Sequence, residues 1–164
     1  MTDRKPLTVR DLAALAVTAA ECRSADALFA AADALVERTI GHTLFTVMRT
    51  HEALEEVERV YSSDTSAYPV GGRKKKQDTH WGRVVLKQGQ IFVARTPDEV
   101  KRAFADYELI FSLGIGAIMN VPIGLAGRRL GTMNISHKAN WFTDEDAEKG
   151  RVIAAILTPA FVTP

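Results

Sequence analysis

The sequence predicts one α+β domain, an antiparallel sheet with helices gathered at the two ends of the chain. A length of 164 residues is that of a single domain. Helical periodicity marks both chain ends, and strand-like segments joined mostly as hairpins lie between them. With 46% hydrophobic and 25% charged residues, the composition is that of a folded globular protein and excludes a disordered chain.

Residues 1–40 predict two helices that are separated at Arg23 and Ser24. Ser24 is a suitable N-cap for the second helix, and Gly41 suits its C-terminal end. These two helices are rich in alanine, which suits close packing on a sheet or on a second subunit. Helix propensity alone explains the alanines equally well. Apolar residues recur at spacings of three and four in each helix: Leu12, Leu15, Ala16 and Ala19, then Leu28, Ala31, Leu35 and Val36.

The middle of the chain predicts strands and a long connection. Residues 42–49 and 56–63 are rich in Thr, Val, Phe and Tyr and predict two strands. Residues 64–80 combine proline, glycines and lysines and predict a long loop. A short helix is expected over 81–87, ending at Gly89, and a short buried strand over 91–94.

Two further short helices are expected after that strand. Thr96, Pro97 and Glu99 predict a helix start, with a threonine cap, proline at the first position and an acid at the third. This helix is expected to end near Ala105, and residues 107–113 predict another turn or two.

The C-terminal third predicts a hairpin and a final helix. Residues 116–123 and 129–137 are expected to pair as an antiparallel hairpin around an Ala-Gly turn at 126–127. A capping box of the form Thr-x-x-Asp begins at Thr143 and opens the last helix, which we expect Pro159 to stop.

Four segments of this region resemble the motifs of a GAF domain: Ser112–Gly116, Asn120–Ile123, Gly127–Ile135 and Trp141–Asp146. The resemblance covers residues 24–160, so residues 1–23 are expected to be an N-terminal helical extension and residues 161–164 a C-terminal tail. Segments 60–63, 68–72 and 80–82 are similar to those of a bacterial subgroup of small stand-alone GAF proteins.

The resemblance implies a specific architecture. It predicts a six-stranded antiparallel sheet with the N- and C-terminal helices on one face. The loop and short helices of residues 64–113 would form a lid over the other face and enclose a pocket. Gly131 is expected to let a neighbouring element approach the backbone closely.

Charge and cysteine content exclude several classes of protein. The 21 basic and 20 acidic residues leave a net charge of +1, which does not predict nucleic-acid binding. A single cysteine, Cys22, excludes an internal disulfide and a multi-cysteine zinc site, and suits a reducing compartment. The N-terminus is not typical of a secretory signal, and no apolar run approaches the ~20 residues of a membrane span. We therefore expect a cytoplasmic protein without a membrane partner.

Specialised roles of related proteins are not matched by the residues. Free methionine sulfoxide reductases resemble this fold but use several cysteines, and bilin attachment needs a pocket cysteine. Phe142, Asp144 and Glu145 superficially match part of a cyclic-nucleotide signature, but helix capping explains them better. The four histidines are scattered, and no phosphate-binding glycine loop occurs, so no metal and no cofactor are expected.

Aromatic and amide side chains are the first candidates for ligand binding. Tyr61 and Ser63 share one face of a predicted strand, and Tyr68 and Trp81 lie in the predicted lid. Asn120 and Asn134 lie among apolar residues of the hairpin. Either these two amides tie the strands and nearby backbone together or they bond a ligand, and the hairpin register leaves open which one faces the pocket.

Charged and polar residues near the lid complete the candidate set. Lys76 belongs to a basic run that either is a solvated loop or steers an anionic ligand. Asp106 either contributes proton-transfer chemistry or belongs to an exposed acidic pair. Ser112 lies in the first motif of the resemblance, and His137 ends a strand, where it either titrates near neutrality or is structural.

Two functions follow from this set. The first is a sensor or regulatory module in signalling that binds an anionic or amide-like small molecule, orders its lid and forms a homodimer through its terminal helices. The alternative is a compact hydrolase or isomerase acting on a small polar metabolite in the same pocket, for which no catalytic residue is assigned. A scaffold that only dimerises is a third possibility.

Overall fold

A computed structural model of the chain describes residues 3–75 and 79–162. The helices are α1 (Val9–Glu21), α2 (Ala25–Thr39), α3 (His80–Gly82, continued by a π-helical stretch Arg83–Lys87), α4 (Pro97–Ala103), α5 (Tyr107–Ser112), α6 (Asp144–Ile156) and α7 (Pro159–Val162). The strands are β1 (Leu44–His51), β2 (Glu56–Ser62), β3 (Arg73–Lys75), β4 (Phe92–Ala94), β5 (Ala117–Leu125) and β6 (Arg128–His137). They form one antiparallel sheet in the order β3-β2-β1-β6-β5-β4, which confirms the predicted α+β fold.

The helices from the two chain ends pack on one face of the sheet and form the main core. Alternate residues of β1 and β6 point into this core, as their buried side chains show. Helix capping fixes where the helices begin: Ser24 accepts a hydrogen bond from the backbone of Ala27, and Thr143 forms the predicted capping box. The largest fully buried side chains of this core include Phe29, Phe45, Met133, Ile135 and Ile153.

A second layer covers the other face of the sheet. It consists of the loop after β2, helices α3, α4 and α5, and their connections. Thr96 and Glu99 form the predicted capping box at the start of α4. A smaller apolar cluster that includes Leu44, Ile110 and Ile118 joins this layer to the sheet. For the described residues of 64–113 the arrangement matches the expected lid, except that β3 and β4 belong to the sheet itself.

The β5–β6 hairpin determines which side chains face the lid. Ala126 and Gly127 both have positive φ, 51° and 78°, as a two-residue hairpin turn of matching twist requires. A β-bulge at Leu130, between the Gly124–Arg129 and Ile123–Gly131 pairs, then shifts the register by one residue and places Asn120 directly opposite Asn134. Gly131 lies where a Cβ would overlap the carbonyl oxygen of Met48, so the expected close approach is confirmed.

Two local predictions are wrong. Residues 64–80 are not loop throughout, because β3 pairs with β2 as a three-residue edge strand within them. Its side chains are all basic and exposed, so no apolar alternation marks it as a strand. Helix α6 ends at Ile156, and Pro159 begins α7 instead of stopping the last helix, since proline is favourable at a first helical position. Within residues 3–75 and 79–162, no helix has the length and apolar character that crossing a membrane requires.

Candidate functional site

A cavity of about 550 Å³ lies between the sheet and the lid. This volume is within the range of small-molecule sites. Its walls are mostly apolar and come from both layers: Leu44, Met48, Val57, Ile115 and Ile118 on or near the sheet, and Trp81, Leu86, Ala103, Phe104, Ala105 and Ile110 from the lid. Trp81 stacks on Phe104 with ring centroids 5.9 Å apart, which gives the lid side a flat aromatic wall.

Amide and hydroxyl groups form a row across the floor of the cavity. Thr46, Asn134 and Asn120 are cross-strand neighbours on β1, β6 and β5. Asn120 Nδ2 donates to Asn134 Oδ1 at 2.8 Å, and Asn134 Nδ2 donates to Thr46 Oγ1 at 3.1 Å. The row ends on the Oδ1 of Asn120, which is buried and accepts no hydrogen bond from the residues that the structure describes. A buried acceptor without a partner is unfavourable, so this oxygen is a natural contact for a ligand donor.

Arg59 brings a buried positive charge to one end of the cavity. Its side chain lies under the ring of Tyr68, with 4.7 Å between guanidinium carbon and ring centroid, and Nη1 donates to the carbonyl of Pro69 at 3.2 Å. Its Nε is buried and donates no hydrogen bond within the described parts of the chain. Burial lowers the pKa of Arg59, while Tyr68 and Asp106 oppose that shift. Among residues 3–75 and 79–162, no carboxylate lies within ion-pair distance of this guanidinium, although a buried charge normally has such a partner.

Tyr68 and Asp106 connect two parts of the lid. The Tyr68 hydroxyl donates to Asp106 Oδ2 at 2.9 Å, and Lys74 Nζ lies 3.6 Å from the same oxygen. Burial raises the pKa of Tyr68, and the Asp106 carboxylate raises it further, so the phenol stays protonated at neutral pH. The Tyr68 hydrogen bond joins the loop after β2 to the segment before α5, and the Lys74 contact adds the edge strand β3.

The structure brings half of the sequence-predicted candidates together. Those that line the cavity are Tyr68, Trp81, Asp106, Asn120 and Asn134. Both asparagines face it, because they are opposite each other in the hairpin and share a face of the sheet. The two amides bond each other and Thr46 and so tie the strands together, and they leave Asn120 Oδ1 without a donor among the described residues.

Tyr61 lies on the opposite face of the sheet. A β-bulge places Tyr61 opposite Val47 and Arg59 opposite Met48, which leaves Val60 as the extra residue. The bulge turns Tyr61 towards the helices, where its hydroxyl donates to Asp33 Oδ2 on α2 at 2.8 Å. The expectation that Tyr61 faces the pocket is therefore wrong.

Three other candidates lie away from the cavity. Ser63 is exposed, and its Oγ accepts from the backbone of Phe45, so it extends the β1–β2 pairing. Ser112 is exposed on α5 and donates to a carbonyl of its own helix. His137 stacks on Trp141 at 3.6 Å between ring centroids, where burial and nearby cations lower its pKa. Lys76 lies outside the described residues.

Arg59 is the main site residue that the sequence analysis missed. It follows Val57 at a spacing of two, and both side chains line the cavity. A cation in the middle of an otherwise regular strand is the signal that could have identified it. Thr46, Ser136, Lys74 and Lys75 also line the cavity without having been singled out. In the described parts of the chain, no three metal-ligating side chains lie close enough to hold an ion.

Comparisons with known proteins agree on the fold. The family model described as the GAF domain matches residues 9–158. The GAF domain of a phosphoenolpyruvate-protein phosphotransferase from Coxiella burnetii is 14% identical with a TM-score of 0.76, over 94% of this chain and 91% of that one. A free methionine-R-sulfoxide reductase from Neisseria meningitidis, solved with its substrate, is 16% identical with a TM-score of 0.71, over 98% and 96%.

A photoreceptor fragment shares the fold as well. The chromophore-binding domain of the bacteriophytochrome RpBphP3 from R. palustris is 14% identical with a TM-score of 0.69, and the match covers 91% of this chain and 59% of that one. No curated protein matches this chain. At identities this low, the structural similarity establishes a shared fold but does not show that the proteins bind the same ligand.

Proposed function

This chain belongs to the GAF domain family, and on that premise we propose that it is a sensory or regulatory module for a small molecule. GAF domains are generally small-molecule-binding sensory or regulatory modules. The ligand we propose is anionic or amide-like and occupies the cavity between sheet and lid. Its binding orders the lid.

The observation that carries this proposal is a cavity of ligand size that contains unsatisfied buried polar groups. A purely structural void would be lined by apolar atoms, since buried polar atoms normally have hydrogen-bond partners. Here the Oδ1 of Asn120 and the Nε of Arg59 have none among the described residues, and both residues line the cavity. A bound molecule that satisfies them would favour the closed lid.

The lid is suited to respond to such a molecule. Tyr68, Trp81 and Asp106 reach the cavity from three separate segments, so a ligand that touches all three ties these segments together. Strand β1 offers a route onward: Leu44 and Thr46 line the cavity, while the intervening Phe45 is buried against the helices. A ligand that prefers one arrangement of lid and β1 shifts the population of both.

Ligand-induced ordering is tested by native mass spectrometry and hydrogen exchange. Protein purified from its own cells should retain a small molecule, and exchange in α4, α5 and the loop before β3 should be slower with it than after its removal. Ala103→Phe fills the cavity from the lid and should abolish retention. Ala53→Phe, the same change at an exposed site, should not. A retained ligand without any change in exchange would contradict lid ordering, and conversion of that ligand would favour the enzyme.

We extend the proposal to a homodimer that forms through the terminal helices. Val9 and Val17 of α1 are 83% and 54% exposed, and Val152 of α6 is 43% exposed, so both elements present apolar surface to solvent. Val17→Glu should turn a dimer into a monomer in light scattering. A monomeric unaltered protein at all concentrations tested would contradict this part.

A further inference from the structure

The cavity has a cationic end and an amide end. Arg59, Lys74 and Lys75 line it on β2 and β3, and Asp106 is the carboxylate among its described lining residues. Asp106 is already bonded by Tyr68 and approached by Lys74. Arg59 has no carboxylate within ion-pair distance in the described parts of the chain, so positive charge is in excess at this end.

The free donors of Arg59 have the geometry of a carboxylate site. Nη1 is used by the carbonyl of Pro69, while Nε is buried and free, and Nη2 donates to no described residue. Nε and Nη2 are adjacent on the planar guanidinium, and such a pair of N–H groups matches the two oxygens of a carboxylate. The ring of Tyr68 over the guanidinium keeps this plane in place. The apolar walls favour a monoanion over a more strongly hydrated dianion.

The opposite end selects a donor. Asn120 is 5% exposed, and its Oδ1 is the unpaired end of the Asn120–Asn134–Thr46 row. A carbonyl oxygen in that position accepts an N–H or O–H from a ligand. Three inter-strand spacings separate β2 from β5, about 14 Å in all, and the long Arg59 side chain covers part of that distance.

From these contacts we infer that the ligand is a carboxylic acid with a flat or apolar body and a hydroxyl or N–H group at its far end. The carboxylate bonds Arg59, the body lies against Trp81 and Ile118, and the donor bonds Asn120. This inference rests on the proposed function and specifies the chemistry of its ligand.

The test uses para-hydroxyphenyl alkanoic acids with none, one or two methylene groups, together with their methyl esters and para-methoxy analogues. Calorimetric titration of the unaltered protein should find that the tightest acid binds at least about tenfold better than its ester. The same acid should bind about tenfold better than its methoxy analogue. If no acid binds, or if acid and ester bind equally, the inference is overturned.

Variants assign the two effects to the two residues. Arg59→Gln should remove the preference for acid over ester and keep the preference for hydroxyl over methoxy. Asn120→Thr should do the reverse. Arg73→Gln removes a cation from β3 that does not line the cavity and should preserve both preferences. The comparison of probes uses unaltered protein, so it stands if a variant misfolds.

The result separates this inference from the proposed function. A neutral molecule retained by the purified protein, with slower exchange in the lid, would overturn the carboxylate assignment and leave the sensor standing. Tight, selective binding of the acids without any change in lid exchange would support the assignment and count against ligand-induced ordering.

Discussion

Replacing Tyr61 by phenylalanine should weaken the fold without affecting ligand binding. The Tyr61 hydroxyl donates to the Asp33 carboxylate at 2.8 Å, and that carboxylate also contacts His42 Nε2 at 2.5 Å. A hydrogen bond to a charged group contributes about 1.5–3 kcal/mol. The Asp33 side chain is 17% exposed and can recover water, so we expect the lower value, about 1.5 kcal/mol. For a chain of this size that is a fall in Tm of about 3–6 °C.

The chain's three tyrosines provide the comparison. Urea unfolding of Tyr61→Phe should give the loss above, while the affinity for the acid probes stays unchanged. Tyr68→Phe removes the hydrogen bond to Asp106. It should speed hydrogen exchange in the lid and lower the affinity for the acid probes. Tyr107 donates no hydrogen bond in the described parts of the chain, so Tyr107→Phe should change stability by less than about 0.5 kcal/mol. If Tyr61→Phe instead lowered the affinity for the acid probes and left the free energy of unfolding unchanged, Tyr61 would have to face the cavity. The assignment of the two sheet faces would then be wrong.

Three further changes test the packing and electrostatics of the fold. Gly131→Ala places a Cβ against the carbonyl oxygen of Met48 and should lower the free energy of unfolding by about 3 kcal/mol in urea titration; a loss below about 1 kcal/mol would contradict the close approach. Burial lowers the pKa of His137, so the unfolded chain takes up its proton first and the protein loses stability as the pH falls below about 6.5. His137→Phe keeps a ring stacked on Trp141 and should flatten this part of the Tm–pH profile. An unchanged slope would show that His137 does not cause the loss of stability at low pH. Thr143→Ala removes the N-cap of α6 and should cost about 1 kcal/mol in thermal melts, an unchanged Tm being the contrary result.

Local signals in the sequence predicted most of the fold. Capping residues such as Thr96 and Thr143 act within a few positions, so their helices could be located from the chain alone. The Ala-Gly turn placed the β5–β6 hairpin for the same reason. The register of that hairpin, and hence the joint exposure of Asn120 and Asn134 to the cavity, depends on the β-bulge at Leu130, which the residue pattern left open.

The site was predicted less well because its geometry depends on distant partners. The bulge at Val60 exists only where β2 meets β1, and it puts Tyr61 on the opposite face of the sheet from Arg59, whereas a regular strand would keep both on one face. Strand β3 forms because β2 offers it an unpaired edge, although its basic residues have no strand-like pattern. Tyr61, a candidate chosen by regular alternation, therefore lies on the wrong face, while Arg59, two residues earlier in the same alternation, was not singled out.

The basic edge strand has a consequence for self-association. Both outer strands of the sheet, β3 and β4, are three residues long, and β3 presents only arginine and lysine to solvent. Short edge strands, and charged side chains on them, discourage a neighbouring molecule from adding its own strand, which is the first step towards fibre formation. Lys74 and Lys75 therefore have two effects: they protect this edge strand from pairing with another molecule, and they contribute positive charge to the cavity. Replacing both lysines by neutral residues in order to weaken the binding of an acidic ligand should also make the protein prone to aggregate at high concentration.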